Sequence, residues 1–414
     1  MKEDIKHNLD KPKQLEALYR EDKSTFKKEF GLIYSEIEDH KAAQIWHARL
    51  NFERDDLSLG SPKELIVVVI ASLIAGLIAK LPDLTGINPE YFYPRNIAFA
   101  VFPVLTIYFA WKQTVQLKQI AIVSGIILIS AIYINLLPDN SQSDTLILAC
   151  IHLPLFLWAV LGTTFLGNKL NNLRKRLDFL IYNGDLLVIS ALLFIAGGLF
   201  TAVTLGLFEL IDLNIEEFYF QQIAIWGAAA IPVVGTYLIQ TNPHLVGKVS
   251  PVIAKIFTPI VLVMLAIYLI AVLYTDKSPY SDREFLLMFN ILLIAVMAII
   301  LFSIAESSNK QFQKMNTVML FVLSILTIVL NGIALSAILF RIAEWGITPN
   351  RVAVLGANIL ILSNLLLVAV GLFKMLKYNH QSEHVESSIT SFLPIYVLWI
   401  VVVTFIFPIV FNFK

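Results

Sequence analysis

Hydrophobic and polar positions divide this chain into two unequal parts. From about residue 63 onward, long apolar runs alternate with short polar breaks. The runs cover 63–81, 96–111, 118–137, 144–166, 184–211, 221–240, 252–274, 284–305, 316–340, 350–373 and 389–411. As helices, each is long enough to cross a hydrocarbon core of about 30 Å. The pattern therefore predicts an all-α polytopic integral membrane protein with about 11 transmembrane helices.

Residues 1–62 read differently. The first 64 residues hold 12 Lys or Arg and 14 Asp or Glu. Phe26, Phe30, Ile33 and Ile37 recur at helical spacing, with Ser24 as the expected N-cap. Ala42, Ile45, Trp46 and Ala48 to Leu50 suggest a second short helix. A two- or three-helix amphipathic prefix is expected, too short for a large core of its own. It is a cytosolic docking segment or a regulatory one, and the surface through which a protein partner would bind. It contains no apolar signal-peptide core, so the first span is expected to act as an uncleaved targeting signal.

Composition sharpens the class. The chain of 414 residues is 57% hydrophobic and 15% charged, with a mean hydropathy of +0.74. Soluble domains carry about 25% charged residues. A formal net charge of zero makes nucleic acid an unexpected partner. The lone cysteine, Cys150, excludes an intrachain disulfide and a cysteine-rich metal site. No Walker loop, zinc-protease or serine-hydrolase motif is present, so no catalytic residue, metal or cofactor is assigned.

Loop charge sets the expected orientation. One set of loops holds twelve Lys or Arg, the densest group being Lys169, Arg174, Lys175 and Arg176. The alternate set holds seven, among them Lys80, Arg95, Arg341 and Arg351. The richer set is assigned to the cytoplasm. The N-terminus is then inside and the C-terminus outside, in a bacterial inner membrane with its lipids as first partners.

A weak internal repeat is visible. "GLIAKLPDLTGINPEYFYPRNIAF" (76–99) and "GLFELIDLNIEEFYFQQIAI" (206–225) share a Gly-Leu, an Asp-Leu and an Asn-x-Glu-x-Phe-Tyr. Pro103 and Tyr108 follow the first, Pro232 and Tyr237 the second. Residues 63–306 thus form eight helices in a candidate four-plus-four direct duplication, followed by three helices in 307–414. Aromatic belts at the membrane surface produce similar echoes without duplication.

Polar groups inside spans are costly and so mark candidate function. His152 lies near Pro154 in the fourth span. It is either a pathway residue or, the preferred reading, a neutral histidine bonding a backbone carbonyl at a kink. Asn290, Asn331, Asn358 and Asn364 lie in spans eight to ten. They either join helices by hydrogen bonds or line a substrate path. The stretch "TNPHLVGKVSPVIAKIF" (241–257) is expected in the membrane interface.

The break "RIAEWGITPNR" between spans nine and ten holds Arg341, Glu344, Gly346, Thr348 and Arg351. It predicts a helix stopped at Gly346 and a new one begun by a Thr348 or Asn350 cap and Pro349. Arg341 and Glu344, three apart, can pair. Arg351 is then left for an acidic partner such as Glu216 or Glu284, or for an anion.

"RLDFLIYNGDLL", "VSPVIAKIFTPIVLVML" and "RIAEWGITPNRVAVLGAN" resemble signatures of a polytopic bacterial membrane-protein family known as domain of unknown function four-one-five-three. The prefix is similar to a Bacteroidota version. The resemblance implies the multi-span fold and the inner membrane. It singles out Arg341, Glu344, Gly346, Thr348 and Arg351 as motif positions, and it brings no activity. The leading expectation for function is a permease-like protein that handles a small molecule or lipid. The alternative is a non-transporting scaffold, and a membrane-embedded lipid or glycan enzyme is the least favoured.

Overall fold

The structure, a computed structural model, describes residues 2–21, 23–52, 61–140, 142–210, 213–242, 258–267, 269–270, 280, 283–307, 314–378 and 383–414. Contacts divide the chain into two units, Met1–Leu59 and Gly60–Lys414. All regular structure among the described residues is helical.

The first unit has four helices where the sequence pattern gave two or three: α1 (Lys2–His7), α2 (Pro12–Glu21), α3 (Lys23–Ile37) and α4 (Lys41–Phe52). Phe26, Phe30 and Ile33 are buried as the spacing required, and Ile5, Leu15, Tyr19, Ala43, Trp46 and Leu50 complete the core. Ile45 is 62% exposed, because at this register Ala43, Trp46 and Leu50 take the inner face of α4. Ser24 does not precede α3, which already starts at Lys23. Arg49 closes one side of the core. Its guanidinium lies 4.5 Å from the Trp46 ring centroid and bonds Glu16 at 2.7 Å.

That ion pair makes the unit pH-sensitive. Hydrogen bonds from Arg49 and Arg20 hold the Glu16 carboxyl below the usual glutamate range, and Lys6 does the same for Glu36. A carboxylate depressed on folding stabilises the fold above its unfolded pKa, and the effect fades as pH falls through the folded value. Amide protection in the first unit of the full chain, taken relative to the intrinsic exchange rate at each pH, should therefore be highest near pH 7 and fall below about pH 4.5. In Glu16→Gln the acid-dependent part should shrink.

The second unit is a helical bundle with the size and apolarity of a multi-pass membrane protein. Its helices are α5 (Pro62–Ala79), α6 (Leu81–Thr85), α7 (Pro89–Lys112), α8 (Leu117–Leu136), α9 (Asp144–Leu166) and α10 (Leu173–Glu209). They continue as α11 (Glu216–Tyr219), α12 (Ile225–Thr241), α13 (Thr258–Ile267), α14 (Arg283–Ser307), α15 (Lys314–Trp345), α16 (Pro349–Tyr378), α17 (Glu383–Val401) and α18 (Phe407–Val410). π-helical turns at Phe220–Ala224 and Val402–Ile406 fuse α11 to α12 and α17 to α18.

Over the described residues each of the eleven apolar runs coincides with helix, although much of the 252–274 run lies outside them. Among the described residues, eight helices are long and apolar enough to cross a membrane. Helix α7 is not one of the eight; it carries Glu90, Arg95 and two internal prolines, Pro94 and Pro103. The described apolar portions of α13 and α14 are short, at Thr258–Ile267 and Asn290–Ala305. Most of 241–257, the expected interfacial stretch, lies outside the described residues.

Among the described residues, the two largest of five apolar clusters hold the bundle. Helices α5, α7, α9, α10 and α12 enclose one around Leu105, Tyr108, Phe109, Tyr182 and Tyr237. Helices α13 to α17 enclose the other around Leu293, Ile300, Leu323, Leu330 and Leu365. Without a hydrophobic force between helices in lipid, close approach at small residues does the packing. A Cβ on Gly76 would meet the Trp226 ring at 2.2 Å, one on Gly184 the Phe302 ring at 1.7 Å, and one on Gly356 the Trp399 ring at 2.0 Å. Each glycine is a socket that seats an aromatic ring from a neighbouring helix.

Candidate functional site

The 341–351 break folds as its residues dictate. Helix α15 ends at Trp345, and Gly346 follows at φ +79°, its N–H donating to the Ile342 carbonyl at 2.9 Å. The Thr348 hydroxyl accepts from the Arg351 N–H at 3.4 Å, and Pro349 starts α16. The side chain of Arg351 turns back on this turn. It donates to the carbonyls of Trp345 and Gly346 at 2.8 and 2.6 Å, satisfying oxygens that a helix end leaves without N–H partners. Thus its partners here are backbone carbonyls rather than an acidic side chain. Arg341 lies 5.0 Å over the Trp345 ring and Arg351 5.9 Å from it. Glu344 is exposed and makes no ion pair among the described residues. Of the five motif positions, Gly346, Thr348 and Arg351 bond within the turn, Arg341 stacks on Trp345, and Glu344 takes no part in it.

His152 also finds a local partner. Its Nδ1 lies 2.8 Å from the Leu148 carbonyl, one turn back in α9. Pro154 withholds an N–H from the Cys150 carbonyl instead, so the histidine and the proline act at different turns.

The asparagines fall into two groups. Asn358 donates to the Asn290 Oδ1 at 2.8 Å and joins α16 to α14. Asn331 and Asn364 are both fully buried. Neither amide atom of Asn331 completes a hydrogen bond among the described residues, whereas Asn364 lies against the Tyr396 hydroxyl, which accepts from an amide while donating to the Leu360 carbonyl at 3.5 Å. Counting at 1.5 Å per residue, Asn331 stands about 21 Å before the turn and Asn364 about 22 Å after it. The two amides therefore sit level, near the middle of the α15–α16 hairpin, inside a core of leucine, isoleucine and valine.

Several polar clusters escaped the sequence reading. Asn96 and Asn135 exchange reciprocal amide bonds at 2.9 and 2.8 Å between α7 and α8. One turn away, Arg95 is 3% exposed and pairs with Asp139 at 3.2 Å while covering the Tyr91 ring at 4.0 Å. At the other end of α7, Glu64 accepts from Tyr108 and Lys112, each at 2.7 Å. Both π turns release a carbonyl that another helix takes up. Lys80 donates to Gln221 O at 2.8 Å and Tyr133 to Phe405 O at 3.0 Å. Asp185, which the sequence places near the cytoplasmic end of its span, is buried twelve residues into α10. Only the Ser61-x-x-Glu64 cap signalled the Glu64 position; the remaining pairs join residues up to 272 positions apart.

No group of three or more His, Cys, Asp or Glu arranged to hold a metal occurs among the described residues. No family model, no curated protein and no solved structure matches the chain.

Proposed function

We propose that this membrane protein is a permease that passes a small polar or amphipathic molecule, with Asn331 and Asn364 as lining groups of the path. One observation carries the reading: the Asn331 amide, fully buried at mid-bundle and level with Asn364, completes no hydrogen bond among the described residues. Leaving a buried polar group unpaired costs about 1–3 kcal/mol. Asparagines that serve as helix glue are bonded, as Asn290–Asn358 and Asn96–Asn135 are. A purely structural hairpin would be firmer with leucine at position 331. The unpaired amide makes sense where a substrate or a second helix arrangement supplies the bonds, as in transporters whose sites lie near the bilayer midplane. The exposed Leu32 and Ile45 of the first unit favour the second reading, a scaffold that binds a partner protein there.

The test is complementation. Cells lacking the protein should differ from the parent in the cellular content of some solute or lipid, measured by mass spectrometry. The wild-type chain should restore the profile, and Asn331→Leu should not, at equal abundance in the membrane. Restoration by Asn331→Leu would support the scaffold instead.

Orientation belongs to the same proposal: a bacterial inner membrane, the loop at 167–172 cytoplasmic, and the Asn140 and Asn214 loops outside. The support is the twelve-to-seven split of loop cations. In a Cys150→Ala background, an impermeant thiol reagent on intact cells should label Asn140→Cys and Asn214→Cys and spare Asn171→Cys. The reverse pattern would invert the topology. Membership of the four-one-five-three family is likewise a proposal, supported by the motif residues Arg341 to Arg351.

A further inference from the structure

Helices α9, α10 and α17 leave a cleft of about 250 Å³ between them. Its walls are apolar, formed by Trp158, Ala159, Phe179, Leu393, Pro394 and Val397. One group is different in kind: Arg176 also lines the cleft. Its place follows from the sequence of α17. Pro394 has no N–H to give the Thr390 carbonyl, and Arg176 donates there at 3.1 Å. A second bond runs from Arg176 Nε to the Leu170 carbonyl at 3.0 Å. The remaining edge of the guanidinium makes no protein hydrogen bond among the described residues.

At Leu170 the apolar cleft meets a second, polar one. This is lined by Gln116, Gln119, Asn168, Lys169, Asn171 and Asn172. Lys169 is exposed and pairs with no carboxylate among the described residues. Arg174 and Lys175 stand one turn into α10. Their carboxylate neighbours are Asp178 and Glu386, at 3.5–3.7 Å. Among the described residues, four cations against two carboxylates leave the rim positive. An apolar slot within the membrane-spanning helices, opening under a positive polar rim, has the amphipathic shape of a lipid.

We propose that this cleft is a binding site for an anionic phospholipid, one acyl chain lying against Phe179 and Val397 and the phosphate held between Arg176 and Lys169. The site is separate from the asparagines of α15 and α16, so it stands or falls independently of the permease reading. Basic residues near a membrane surface each strengthen binding of anionic lipid by about 1 kcal/mol, roughly fivefold. A zwitterionic headgroup would meet the same slot without that gain.

The test uses the purified full chain in detergent, with phosphatidylglycerol, phosphatidylcholine or inorganic phosphate added. Bound lipid is counted by native mass spectrometry, and the thermal midpoint is followed in parallel. The wild-type protein should retain phosphatidylglycerol and be stabilised by it, with little response to phosphatidylcholine or to phosphate alone. Ala159→Phe, which fills the slot and leaves every cation in place, should abolish retention of one phosphatidylglycerol. The pair Lys169→Gln and Lys175→Gln should weaken binding roughly fivefold for each lysine. Equal retention by Ala159→Phe, equal binding of phosphatidylcholine, or a response to phosphate alone would overturn the site. Should Ala159→Phe fail to fold, the lysine pair decides: unchanged affinity overturns the proposal.

Discussion

Gly184→Leu should abolish assembly of the bundle, and Phe302→Ala in the same chain should restore part of it. Even a methyl group at position 184 would sit 1.7 Å from one carbon of the Phe302 ring and 2.2 Å from the next. No rotamer change at residue 184 relieves that contact, because the Cβ position is fixed by the backbone. Either α10 or α14 must move, or the ring must leave its seat. Overpacking of a dense core typically costs 1–3 kcal/mol and sometimes more, against a total stability of roughly 5–15 kcal/mol. Removing the ring vacates the space the leucine needs, although Phe→Ala alone costs about 3–5 kcal/mol. Gly197→Leu is the control on the same helix, since nothing lies within 4 Å of its virtual Cβ. Yield of monodisperse protein and thermal midpoint should fall sharply for Gly184→Leu, hold for Gly197→Leu, and recover partially in the double variant. Unchanged behaviour of Gly184→Leu would mean that α10 and α14 do not pack as described.

The second large effect has the opposite sign. Asn331→Leu should raise the thermal midpoint, and adding Asn364→Leu should raise it further. Asn331→Leu removes a buried amide that completes no hydrogen bond among the described residues and adds apolar surface to the core around Leu330 and Leu365; Asn364→Leu adds less, because it also removes the neighbour of the Tyr396 hydroxyl. The gain expected at position 331 is about 1–3 kcal/mol. Asn290→Leu should go the other way by a similar amount, because it strands the Asn358 amide that now donates to it at 2.8 Å. The contrast separates a bonded asparagine from one without a bond inside the same helical core. If Asn331→Leu destabilises as Asn290→Leu does, the amide has a partner, and the argument for a path at that level is lost.

The sequence made different parts of this molecule legible to different degrees. Caps and stops are local, so the 345–349 turn could be read from Gly346, Thr348 and Pro349, and the structure shows each in that role. Apolar runs located the helices but understated their lengths. Helix α10 begins at Leu173, eleven residues before the run at 184, because its first turns carry Arg174, Lys175 and Arg176. Helix α7 begins at Pro89, where Asn88 caps it, although the run starts only at 96. Hydropathy records the part of a helix that suits hydrocarbon, whereas hydrogen bonding continues the helix beyond it.

Side-chain partners were the hardest to foresee. Arg95 counted as a loop charge, yet it is buried, with its partner Asp139 brought near by the α7–α8 pairing. The sequence leaves Arg351 for an acidic side chain or an anion; among the described residues it caps carbonyls six and five residues before it, and the Glu284 side chain lies outside the described residues. A guanidinium beside a helix end meets bare oxygens before it meets any distant carboxylate. In the first unit, Leu15, Leu18 and Tyr19 have the spacing of a buried stripe in α2, but the helix is short and its polar residues mask the pattern. Nothing local in the sequence announces the π turns at 220–224 and 402–406.

The central claim is that a buried polar level in the α15–α16 hairpin is reached from water during function. Single cysteines at position 331 or 330, in a Cys150→Ala chain in native membranes, test it with a small, charged methanethiosulfonate reagent. Both positions are fully buried in the structure. A path through the asparagines predicts that Asn331→Cys is modified within minutes while Leu330→Cys stays unreactive. Equal inertness of the two cysteines would contradict the account and leave a dry bundle.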